Sequence, residues 1–291
     1  MTFRPIAYGV SSEMGNRSSQ QDDFLIQEDI FGDGEHHLYA VFDGHGVQGD
    51  KVSRAAKIHL SKIMPRRKDA FVKDAHQALI DVFQDISEML GDDPDIDIYM
   101  SGTTAAAAVV TPTKVVVANL GDCRIVIGQK LANSGDPQRS FRPLALTRDH
   151  TCSDSNERIR VEKAGARIAK NPADAELADA PLRIYKGTLP YPGLVMTRAF
   201  GDSSAHKVGL ISEPEVSTHV LSEKDWFLVL GTDGVWDALN NSKVVHLISG
   251  ITDADKASHQ LAQKSLKYLD KKGIDDNTTN IVVLLRNSSC I

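Results

Sequence analysis

Apolar residues recur along this 291-residue chain in two rhythms. Short bursts bounded by turn residues predict strands. Residues 24–26 and 38–42 flank Gly32-Asp33-Gly34 and predict a hairpin. Residues 103–110, 115–119 and 124–127 predict a meander, and 227–230 and 281–285 two further strands. Elsewhere apolar residues return every three to four positions, which predicts helices. Val52, Ala56, Leu60 and Ile63 form one such stripe, and Val72, Leu79, Val82, Phe83, Ile86 and Leu90 a second. Ala254, Ala257, Leu261, Ala262, Leu266 and Leu269 form a third. A shorter helix is expected over 154–165, with Ser153 or Asp154 as its N-cap and Gly165 as its stop. Two helices in succession between strand groups argue against strict β-α-β alternation and favour an α+β chain of antiparallel sheets covered by helices. Residues 169–192 carry four prolines and little periodicity, which predicts a long surface loop or flap.

Composition narrows the class. Hydrophobic residues make up 41% and the net charge is −6, so a folded core is expected without disulfides. The longest apolar runs are strand-sized, which predicts no membrane span. The mild acidity predicts no nucleic-acid partner. Cys123, Cys152 and Cys290 form no CxxC pair, and the N-terminus shows no secretory signal and no glycine at position 2. An intracellular protein, cytoplasmic or nuclear, without structural zinc is expected.

The aspartates change the picture. Asp22 precedes one strand, Asp43 follows the next, Asp233 follows residues 227–230, and Asp276 precedes residues 281–285. A single Asp-Gly is usually a turn, as Asp33-Gly34 is expected to be. Four carboxylates at four strand ends are different, because if they meet in space protons or cations must neutralise them. Oxygen ligands suit hard ions such as Mg²⁺, Mn²⁺ or Ca²⁺, which points to a two-metal hydrolytic site.

These residues sit in blocks that resemble the type 2C metal-dependent protein phosphatases. The blocks are Arg17 with Gln21-Asp22, then 40–46, 101–105, 119–124, 146–150, 197–202, 212–216, 232–237 and 276–279. They follow the family's order and run nearly the whole chain. The resemblance implies one catalytic domain over 1–291, a β-sandwich of two antiparallel sheets flanked by helix pairs, with the flap near 169–192. It implies hydrolysis of phosphoserine and phosphothreonine in phosphoprotein substrates by water held between two Mn²⁺ or Mg²⁺ ions. Asp22, Asp43, Asp233, Asp276 and the Gly44 carbonyl match the family's metal ligands. Arg17 matches its phosphate-gripping arginine and His45 its proposed general acid. Asp149 and Asp237 match carboxylates linked to a possible third ion. Gln21 stands where some members carry Glu. Two bound divalent ions would bring the net charge to about −2.

Two rival readings come from other chemistries. Cys152 and Arg158 satisfy the C-x₅-R spacing of cysteine-dependent phosphatases, but Ser-Asp-Ser-Asn-Glu lies between them, with two carboxylates and no glycine to cradle phosphate. A non-catalytic binding module of the pseudophosphatase type would keep the fold and lose metal or phosphate groups, whereas all five of Arg17, Asp22, Asp43, Asp233 and Asp276 are present. The sequence leaves the oligomeric state open, a monomer being plausible.

Overall fold

A computed structural model describes residues 3–131, 140–174, 176 and 180–287. In chain order it contains β1 (Phe3–Glu13), β2 (Asp22–Gln27), β3 (His37–His45), α1 (Gly49–Ile63), α2 (Lys68–Lys73) and α3 (Ala75–Gly91). There follow β4 (Gly102–Val110), β5 (Lys114–Leu120), β6 (Arg124–Lys130), β7 (Phe141–Ala145), α4 (Ser155–Lys163), β8 (Ala166–Lys170), β9 (Leu182–Lys186), β10 (Pro192–Leu194) and β11 (Phe200–Gly201). The chain continues through β12 (Glu215–Val220), β13 (Asp225–Gly231), α5 (Asp233–Trp236), α6 (Asn241–Ile248), α7 (Ala254–Lys272) and β14 (Thr278–Asn287).

Two large antiparallel sheets form the centre. One runs β1-β14-β13-β6-β7, and the other β12-β5-β4-β3-β2 with β11 on the end of β4. Alternation along the strands explains how they stack. Tyr39 and Val41 of β3 meet Ile125, Ile127, Leu228 and Ile281 between the sheets. Leu38, Ala40 and Phe42 face the other way, onto α1 and α3 through Val52, Leu60, Leu79 and Phe83. Phe227 and Val229 of β13 pack on α6 and α7 through Val245, Leu261 and Leu269. Central strands buried on both faces read as unbroken apolar runs, and that is why the bursts stood out. The result is the expected four-layer α+β sandwich. Among the described residues, no helix is long and apolar enough to cross a membrane.

Three expectations change. The 103–127 meander is not one, because β6 leaves β5 and joins the other sheet between β13 and β7. The crossing follows Gly121 at φ +106, a backbone turn that side chains resist. The stripe over 72–90 is two helices. Asp74 sits extended at φ −152 and caps α3 by accepting from the backbone N–H groups of His76 and Gln77, which leaves Val72 exposed on α2. The 169–192 segment is not simply a loop. Outside residues 175 and 177–179, which are not described, it contributes β9 and parts of β8 and β10 to a three-stranded sheet. Ile184 anchors that sheet to Val161, Met196 and Leu210. At α4, Asp154 is the N-cap and Gly165 takes φ +96.

Candidate active site

The two sheets bring their carboxylates to one end of the sandwich. In the antiparallel register of β2 and β3, Asp22 lies directly opposite Asp43. From the other sheet, Asp233 opens α5 just beyond β13, and Asp276 stands just before β14. Thr232 Oγ1 donates to Asp22 Oδ2 at 2.9 Å and fastens one sheet to the other. Opposed like charges destabilise a strand pair unless something neutralises them. Burial pushes the Asp22 carboxyl up to about 7, against hydrogen bonds from Thr279 and Thr232. Burial, then the charge of Asp22, holds Asp43 well above the usual carboxylate range. Asp233 is raised by burial and by Asp43 and Asp276, and Asp276 by burial against the pull of Arg17.

Such a group of acids holds protons or cations, and its oxygens suit hard divalent ions. Among the described residues, no three His, Cys, Asp or Glu side chains close into one metal cage. Asp233 and Asp276 line an open basin, and Asp22 and Asp43 lie within charge range of them, an arrangement that suits ions retaining several waters. Backbone packing at Gly44 adds to the fit. A Cβ there would lie 2.4 Å from the Gly49 carbonyl oxygen and 2.5 Å from that of Gln21. Only glycine permits this approach. Gln21 ties the same corner, its Nε2 donating to the Gly46 carbonyl at 2.7 Å.

Arg17 borders the basin, its Nη2 donating to Asp276 Oδ1 at 2.9 Å and its Nε to the Asp275 carbonyl. It lines a cleft of about 860 Å³ together with His45, Asp122, Asp233, Asp237 and Asp276, and with Leu182, Arg183 and Leu194 of the flap. The flap thus forms one wall of the cleft. His45 Nε2 lies 2.5 Å from Asp202 Oδ2. Burial alone would lower the imidazole's pKa, but the charge and hydrogen bond of Asp202 hold it above its ordinary value.

Asp149 and Asp237 occupy different surroundings. Asp149 accepts from Arg124 Nε at 3.0 Å and Nη2 at 2.5 Å, so its charge is already answered. Asp237 is raised by burial and by Asp276 and Asp149. Asp122, which the sequence reading passed over, joins the basin. It is buried, its Oδ1 has no hydrogen-bond partner, and burial with the charges of Asp149 and Asp237 pushes it up to about 7. Its signal was the one used for the others, since Gly121-Asp122 directly follows β5. Asp202 was the second omission, and its strand β11 is only two residues long, too short to register as periodicity.

The cysteine rival does not gain from the geometry. Burial pushes the Cys152 thiol up to about 11, and Arg158 pairs with Glu162 instead. A thiol nucleophile needs the opposite shift. Cys123 is buried with its Sγ 3.1 Å from Thr104 Oγ1, and Cys290 lies outside the described residues.

Residues 6–278 match the family described as Protein phosphatase 2C. The chain belongs to the protein phosphatase 2C family. An Arabidopsis thaliana relative named "Probable protein phosphatase 2C 35" is 31% identical over 98% of this chain and 85% of its own length. The fold is similar to that of the serine-threonine phosphatase 2C from Toxoplasma gondii, with a TM-score of 0.80, 19% identity and 98% of each chain covered. It is also similar to a C. elegans sex determining protein, with a TM-score of 0.78 and 23% identity over 99% of this chain and 66% of the other. As a member of this family, the protein is a metal-dependent serine/threonine phosphatase acting on phosphoproteins.

Proposed function

We propose that one catalytic domain, residues 1–291, hydrolyses phosphoserine and phosphothreonine in proteins with two Mn²⁺ or Mg²⁺ ions held at the end of the sandwich. The observation that carries this reading is the set of carboxylates drawn from both sheets, whose affinity for protons rises because burial and their mutual charge outweigh the one cation among the described residues, Arg17, that pairs with them. Asp22, Asp43, Asp233, Asp276 and the Gly44 carbonyl would hold the two ions. Asp122 and Asp237 would serve a third better than Asp149, whose oxygens already take the Arg124 bonds. When bound, the ions would neutralise this charge and supply an activated water as nucleophile near neutral pH.

The remaining chemistry falls to the chain. Arg17 has a planar fork matched to phosphate oxygens, and its exposed position beside Asp276 lets it swing onto a substrate. In exchanging a carboxylate for phosphate it keeps its charge satisfied. His45, whose hold on a proton Asp202 strengthens, protonates the departing seryl or threonyl oxygen. Attack and departure form one in-line displacement with no phosphoenzyme, which leaves the buried thiol of Cys152 without a part. Two buried thiols suit the reducing interior of a cell.

The test is phosphate release from phosphoserine peptides with Mn²⁺, with Mg²⁺ and with chelator. Chelation is expected to abolish turnover and thiol alkylation to spare it. Asp43→Asn is expected to lose about a thousandfold or more while remaining folded by circular dichroism, as removal of a two-metal ligand should. Near-wild-type turnover in that variant, or activity surviving chelation, refutes the metal assignment.

A further inference from the structure

His45 ends β3, and its ring is held by a residue from a distant part of the chain. Asp202 Oδ2 lies 2.5 Å from His45 Nε2, and Asp202 is only 1% exposed. Among the described residues the imidazole is the carboxylate's sole hydrogen-bond partner. A buried carboxylate with one partner is costly, so the contact has to be built. Three features of the backbone build it. Asp202 takes φ +48, in the left-handed region, and its N–H donates to the Ser101 carbonyl at 3.0 Å. The strand registers set Gly102 of β4 between His45 of β3 and Gly201 of β11. A Cβ at Gly102 would lie 2.2 Å from Asp202 Oδ2 and 2.8 Å from His45 Nε2. Three strand ends therefore meet around a glycine whose missing side chain is the space the pair occupies.

We propose that Asp202 is the positioning residue for His45. It fixes the ring's orientation at the cleft, much as a buried carboxylate orients histidine in other proton-transfer sites. The proposal rests on His45 acting as general acid in the function above. As the P–O bond breaks, its electron pair stays on the seryl oxygen, which takes the imidazolium proton. His45 is left neutral.

The test compares wild type, Asp202→Asn, His45→Ala and the double variant on two substrates. One is a phosphoserine peptide, whose alkoxide must be protonated to leave. The other is p-nitrophenyl phosphate, whose phenolate leaves unaided. Asn tolerates positive φ best after glycine, together with Asp, so Asp202→Asn keeps the backbone. It is expected to lose about 10- to 100-fold on the peptide, and at least about tenfold more there than on the aryl phosphate. In the His45→Ala background the same change is expected to add nothing. By NMR, the ion-free wild type should show a strongly downfield imidazole N–H proton that disappears in both single variants. Equal losses on both substrates, or an undiminished loss in the His45→Ala background, would make Asp202 merely structural and overturn the proposal. A missing downfield signal in wild type would overturn the contact itself. Absence of ion-dependent peptide hydrolysis in wild type would instead sink the function, with the NMR comparison still judging the contact.

Discussion

Glu157, near the start of α4, is 1% exposed yet keeps its charge. It accepts from Arg198 Nη2 at 2.7 Å, Arg160 Nη2 at 2.7 Å and Thr197 Oγ1 at 2.6 Å. Burial alone would raise its pKa, but these bonds together hold the carboxyl well below the usual range. A depressed acid stabilises the fold above its unfolded pKa of about 4.3 and loses that contribution as pH falls toward its folded value. Glu157→Gln leaves two guanidinium groups short of a counter-charge, at a cost of about 3–5 kcal/mol. Thermal melts should therefore show the largest gap between wild type and this variant near pH 7, narrowing below about pH 4. A gap that stays constant down to pH 3 would contradict the assignment. The Arg198 half of this pairing was not legible in the sequence, because Glu157 and Arg198 are 41 positions apart, whereas Arg160 stands three positions on along the same helix. The four strand-end aspartates of the proposed ion site were legible because strand ends advertise themselves through the apolar runs they terminate. Asp122 obeyed the same rule and was missed only because its strand was read as continuing through a meander. Asp202 follows a strand too short to be seen.

At the level of elements, local pattern and tertiary partner separate cleanly. Helices α1, α3 and α7 follow from periodicity, and the β2–β3 hairpin from its glycine turn. Which sheet β6 joins does not, since one of its two partners, β13 at Asp225–Gly231, lies far downstream of Arg124–Lys130 and leaves no local signal. The flap was hardest to read. Its strands are short and partly exposed, so the apolar signal that marks the central strands is diluted. Its structure nonetheless explains how it could act, because β9 and β10 present Leu182, Arg183 and Leu194 to the cleft while Ile184 anchors them below. We expect the β8–β9 connection, residues 171–181, to influence which phosphoprotein docks more than how fast phosphate is cleaved. Replacing it with a two-residue turn preserves the hairpin and Ile184. Relative kcat/KM among phosphoproteins should then shift several-fold, with p-nitrophenyl phosphate hydrolysis little changed. Equal loss on proteins and on the aryl phosphate would sink that expectation.

On the scale of the whole molecule, the carboxylate basin is where the two sheets join. Asp22, Asp43 and Asp122 come from or beside the β12-β5-β4-β3-β2 sheet, and Asp233 and Asp276 from beside the β1-β14-β13-β6-β7 sheet. Repulsion among them acts to part the sheets at that end, and the Thr232–Asp22 bond opposes it. A cation shared by both sides reverses the sign of the interaction. Mn²⁺ should therefore raise the melting temperature of the entire domain, not of one loop. An ion at 100 times its dissociation constant contributes about 2.7 kcal/mol, which is several degrees for a chain of this length. Asp233→Asn provides the control, because it removes one buried like charge as well as one ligand. The ion-free variant should melt at or above the wild-type temperature, while its gain on adding Mn²⁺ shrinks. Were Asp233 instead a structural helix cap, the variant would melt lower without ions and keep its full Mn²⁺ response. Thr232 takes the N-cap position of α5 but makes no side-chain cap bond, its hydroxyl going to Asp22 instead, so the two outcomes separate the roles of Asp233.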